Sequence, residues 1–119
     1  AVTSTTAREA GLAAQRRIVG SDTVEALYAN APTDQLHITR WLSDHCFGDH
    51  YTRGSLDIPT RELITLILLS ALGGADAQVA AHVTGNLNVG NGRAVMTEAI
   101  TTALPWIGYP RTLNQARLH

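Results

Sequence analysis

Lysine is missing from this 119-residue sequence, and all nine basic residues are arginine. Schiff-base chemistry, a lysine general base and a phosphate-loop lysine are therefore excluded. The one cysteine, Cys46, can neither close a bridge within the chain nor supply the second thiol of a redox pair, which removes disulfide scaffolds and intramolecular dithiol catalysis. Positive charge is not in excess: nine basic residues face ten acidic ones, for a formal net charge of -1. A nucleic-acid partner is not expected. Charged residues make up only 16% of the chain, against a usual share of about 25%, so part of the outer surface is expected to be buried in an oligomer. The longest apolar run, Leu63 to Leu72, is interrupted by Thr65 and Ser70 and is too short for a membrane span. The first residues, AVTSTTAREA, lack the basic and apolar regions of a secretory signal, and a cytoplasmic location is expected. Walker, dinucleotide-fingerprint, GxSxG and HExxH patterns are all missing, so neither a cofactor nor a metal is expected.

The length suits one domain over residues 1–119. Glycine and proline fall as punctuation between segments of helical character, and no segment shows strand-like alternation. Thr5 or Thr6 is placed to cap a first helix ending at Gly20. Asp22 with Glu25 resembles a capping box for a second helix, and Thr33 caps a third that Gly48 ends. LDIPTRELITLILLSALGG is the strongest local signal. Asp57 caps it, Pro59 occupies the first turn, and Gly73 with Gly74 stops it. Because this helix is apolar nearly all round, burial on more than one side is expected, in the core or at a subunit contact. Asp76 caps the next helix, Asn91 caps another that Pro105 terminates, and Pro110 opens the last. The expected fold is an all-α single-domain bundle of six or seven helices.

Candidate catalytic groups are Glu62, His82, His37, His45, His50, Cys46, Arg53, Arg61 and Arg111. Each has an ordinary structural alternative. Glu62 is favourable near the positive end of its helix whatever else it does, and His82 can be a hydrogen-bonded core residue. Together they mean more, because a carboxylate and an imidazole on consecutive helices can converge as an acid–base pair. HCFGDHY puts His45, Asp49 and His50 in one stretch, yet no histidine pair is spaced i, i+4 and Gly48 is expected to break the helix, so metal binding is not expected there. Cys46 reads as a small buried residue, and Trp41, Tyr51 and Trp106 as core or pocket lining.

The stretch GDHYTRGSLDIPTRELITLILLSALGG, the following AAH and LNVG, and GYPRTLNQARL together resemble the carboxymuconolactone decarboxylase family from roughly Gly20 onward. The resemblance implies an all-α, alkylhydroperoxidase D-like fold and a homotrimer or homohexamer. It also implies one of two activities: cofactor-independent decarboxylation of 4-carboxymuconolactone, or reduction of hydroperoxides through a CxxC pair. In the redox pattern Glu62 and His82 match, but Ala75 and Gln78 occupy the cysteine positions. The decarboxylase branch commonly has a small residue after the Arg of TR-L, where this chain has Glu62. The reading that follows is an acid–base enzyme acting on a small anionic lactone or carboxylate. His82 is its general acid or base, Glu62 the orienting partner and Arg53 the carboxylate or oxyanion anchor. The alternatives are a hydroperoxide-reductase-like protein without the CxxC pair and a non-catalytic oligomeric ligand-binding protein.

Overall fold

The structure is a computed structural model that describes residues 4–119, with side chains from Thr6 onward. Among the described residues it contains seven α-helices: α1 (Ser4–Val19), α2 (Ser21–Asn30), α3 (Leu36–Trp41), α4 (Ile58–Leu72), α5 (Asp76–Asn88), α6 (Arg93–Ile107) and α7 (Tyr109–Ala116). A 3-10 turn at Thr33–Gln35 precedes α3, and a π-helical stretch, Leu42–His50, continues it. No strand occurs among the described residues. None of their helices is long and apolar enough to cross a membrane. The chain divides into two compact units, Ala1–Leu56 and Asp57–His119.

In the first unit α1 lies against the π-helical stretch, and two glycines allow it. A Cβ on Gly11 would run into the Ser43 carbonyl oxygen, and one on Gly48 into the Ala7 carbonyl oxygen, so the backbones meet directly. Ala7, Ala14, Ile18, Val24, Phe47 and Tyr51 form the buried apolar set. The buried polar groups are paired: Tyr28 donates to Ser43 Oγ at 2.6 Å, and Ser43 donates to Gln15 Oε1 at 2.6 Å. Arg8 grips Asp44 with two bonds, Nε to Oδ1 at 3.0 Å and Nη2 to Oδ2 at 2.9 Å.

In the second unit Leu66, Val79 and Met96 are fully buried, with Leu63, Ile67, Leu69, Val83 and Leu118 packed around them. Asp57 caps α4 by accepting from the Thr60 amide at 2.9 Å, and the Thr60 side chain and amide hold its carboxyl below the ordinary aspartate range. Gly73 (φ 75°) and Gly74 (φ 72°) take the left-handed conformations that stop the helix. Arg111 donates to the Ala71 carbonyl at 2.9 Å, satisfying a free acceptor of the last turn. Helix α4 is covered over most of its circumference and exposed along one stripe: Leu66 is inside, while Ile64, Leu68 and Leu72 are 43%, 64% and 72% exposed. At its far end Ser70 donates to the Leu66 carbonyl at 2.8 Å and receives His119 Nε2 at 3.2 Å. Burial keeps that imidazole's pKa below its ordinary value, against a weaker opposite pull from the Met96 backbone.

Several expected helix boundaries are corrected. The Thr5 side chain lies outside those described, and Thr6 is already inside α1. Gly20 (φ 90°), rather than Asp22, occupies the N-cap of α2, and no side chain caps α3 in place of Thr33. Asp76 sits within the first turn of α5, where its Oδ1 accepts from Gln115 at 3.1 Å. Asn91 leaves the cap of α6 to Gly92, because its amide is drawn back to Pro59 and Asn86. Pro105 lies in the last turn of α6, where its missing amide costs one bond, and Gly108 (φ 85°) ends the helix instead. Gly48 does not break its helix either; its lack of a side chain serves close packing. Gly48→Ala should therefore lower unfolding free energy by about 1–3 kcal/mol in urea denaturation. Gly54→Ala, with nothing within 4 Å of the added carbon, should leave it near wild type.

Candidate active site

Helices α4 and α5 form an antiparallel hairpin, so the start of α4 lies beside the end of α5, where Asn91 Nδ2 donates to the Pro59 carbonyl at 2.8 Å. Across this pair Glu62 and His82 meet, and His82 Nδ1 donates to Glu62 Oε1. Glu62 is fully buried, while the His82 side chain keeps 17% of its surface exposed. Glu62 lies beyond the first turn of α4, where the helix dipole has largely decayed, so the dipole alone does not account for a buried carboxylate. A buried ion needs a specific partner, and the imidazole supplies it.

Asn86, one turn after His82 and fully buried, braces the pair from behind. Its Nδ2 donates to the His82 carbonyl at 2.7 Å and to the Glu62 carbonyl at 3.2 Å, tying together the backbones that carry the two side chains. Its Oδ1 accepts from Asn91 Nδ2 at 2.9 Å, which extends the network to Pro59. The set is a carboxylate, an imidazole with one partly exposed edge, and an amide strut. Such an arrangement fixes which imidazole nitrogen faces the carboxylate and leaves the other to exchange protons.

Of the expected site residues, the structure brings Glu62 and His82 together. Arg53 lies in the first unit, exposed, with its backbone amide donating to the His50 carbonyl at 3.3 Å. Cys46 is half-buried there. Trp41 and Trp106 are exposed, whereas Tyr51 is buried and packs on Phe47 with ring centroids 5.0 Å apart. Ala75 caps α5 and Gln78 lies in its first turn, so no thiol stands at either position near the pair. Among the described residues, no group of three or more His, Cys, Asp or Glu side chains is arranged to hold a metal ion. The first unit also has an open cleft of about 240 Å³, lined by Arg8, Arg16, Arg40, Glu25 and Tyr28 among others; none of the expected catalytic residues lines it. Asn86 and Asn91 join the site although they are not among the residues expected there. The signal for Asn86 was an amide four residues after His82, on the same helical face.

An all-helical chain with a buried carboxylate–imidazole pair on consecutive helices is the class that fold and site define. The family model for the carboxymuconolactone decarboxylase family matches residues 37–118, and the chain belongs to that family. Its helices accord with the alkylhydroperoxidase D-like fold. No curated protein matches the chain. If Asn86 holds the pair in register, Asn86→Ala should cost about 1–3 kcal/mol in unfolding free energy and speed amide exchange in α5 around His82. Unchanged exchange there would show that Asn86 is not the brace.

Proposed function

We propose that this chain is a cofactor-independent acid–base enzyme that decarboxylates, or otherwise processes, a small anionic lactone or carboxylate. The observation that supports this reading is the fully buried Glu62 carboxylate bonded to His82 Nδ1 beside a partly exposed imidazole edge. With Nδ1 committed to Glu62, Nε2 is the atom that takes or gives the proton. In a decarboxylation, the carbon–carbon bond to the carboxylate breaks, carbon dioxide leaves, and the unsaturated lactone accepts the electron pair. His82 then delivers a proton to carbon while Glu62 stabilises each charge state in turn. No external oxidant or reductant is needed. Arg53 completes the proposal on its chemistry, as a permanently charged, exposed guanidinium suited to a carboxylate or oxyanion.

The hydroperoxide-reductase reading has less support, because Ala75 and Gln78 stand where that chemistry places its thiols. The non-catalytic reading treats Glu62 and His82 as a structural pair. Turnover of 4-carboxymuconolactone and related unsaturated lactone acids, followed by carbon dioxide release, separates the readings. His82→Ala and Glu62→Gln should each lower kcat roughly 10²–10⁴-fold with the helical circular dichroism unchanged, and Arg53→Gln should chiefly raise KM. Wild-type-like rates in the His82 and Glu62 variants would remove the acid–base assignment.

The reading includes assembly as a homotrimer or homohexamer. The exposed stripe of Ile64, Leu68 and Leu72 supports it, since burying such a stripe against another copy removes apolar surface from water. Leu68→Glu should shift sedimentation from oligomer to monomer. A wild-type chain that sediments as a monomer would remove this part of the proposal.

A further inference from the structure

Outside the Glu62–His82 site, two imidazoles meet in the first unit. His45 and His50 are five residues apart, a spacing that on a helix of 3.6 residues per turn leaves side chains roughly 140° apart. The Leu42–His50 stretch is π-helical, however, and its backbone closes bonds over five residues, as in the 3.1 Å bond from the Tyr51 amide to the Cys46 carbonyl. A five-residue step is then about one turn. His45 and His50 accordingly stand on the same face, with ring centroids 4.5 Å apart, planes at 86°, and Nε2 atoms 3.2 Å from each other. Both residues are exposed.

We propose that His45 and His50 form a two-imidazole site for a divalent transition-metal ion, with zinc as the probe. Imidazole nitrogens are ligands for this class of ion, and two Nε2 atoms converge here without any rearrangement of the backbone. A tetrahedral zinc with bonds of about 2.0–2.1 Å places two ligand nitrogens roughly 3.3–3.4 Å apart. A cis pair in a square-planar site would instead stand about 2.8–2.9 Å apart. The observed 3.2 Å is within a few tenths of an ångström of both values, so either geometry is reached with small side-chain adjustment. Several contacts hold the scaffold. Gly48 packs on the Ala7 backbone, Thr52 Oγ1 donates to the Gly48 carbonyl, and Arg8 holds Asp44 by two bonds one residue before His45. Ligands on a locked element lose little freedom on binding. With two protein ligands, the remaining coordination positions belong to water or a small anion.

The competing account of the same distance is a plain hydrogen bond between two neutral imidazoles. Zinc titration of the untagged full chain, by calorimetry and by nitrogen-15 NMR of the histidine rings, separates the two. A zinc site predicts one equivalent bound, with the Nε2 resonances of His45 and His50 shifting together and those of His37 and His82 unmoved. It also predicts that His45→Ala and His50→Ala each weaken binding roughly tenfold or more, because losing either ligand removes the advantage of two tethered donors. His37→Ala should bind as wild type does. Nε2 resonances of His45 and His50 that stay still at excess zinc would overturn the proposal. Binding of equal strength in wild type and both single variants would do so too, and the NMR result does not depend on how any variant folds.

Discussion

A carboxylate with no solvent exposure constrains the second unit more than any other group. Moving an ionised carboxyl out of water costs several kcal/mol unless a partner and further polar contacts compensate. Glu62 meets that condition because the antiparallel α4–α5 hairpin delivers His82 Nδ1 to it. Asn86 fastens the two backbones at the same level. Asn91 then joins the strut to Pro59, so the first turn of α4 and the end of α5 are held by one connected set of amides. The same low-dielectric setting that makes an unpaired group costly strengthens each of these bonds.

The first unit is organised on different physics. Its central contact is backbone against backbone, made possible by Gly11 and Gly48, and it leaves little room for side chains between α1 and the π-helical stretch. The buried Tyr28–Ser43–Gln15 chain and the Arg8–Asp44 fork fix the register of the two elements. Exposed Ile64, Leu68 and Leu72 in the second unit are the counterpart: apolar surface that the chain by itself does not cover.

The all-helical class and most helix positions were legible because they rest on local signals. Asp57, Pro59 and the Gly73–Gly74 stop act within one or two turns, and each did what its chemistry indicates. The Glu62–His82 pair was legible for another reason: both are polar residues in apolar or small-residue surroundings, on helices joined by a short turn. Two of the caps failed because the side chain had a more distant partner, as Asn91 has in Pro59 and Asp76 has in Gln115. Gly48 failed likewise, since the same glycine can end a helix or admit another backbone, and only the tertiary contact with Ala7 decides. A five-residue histidine spacing gives no hint of proximity until the wider helix is known.

The wide helix also restricts how this segment can change over evolutionary time. Relative to an α-helix of the same span, a π-turn accommodates an additional residue. Removing that residue lets the stretch close as an ordinary α-helix of the same span, so a deletion between Cys46 and Tyr51 would lose the wide turn that seats His45 beside His50. A single-codon deletion there would thus part the two imidazoles without needing an insertion nearby to restore the helix.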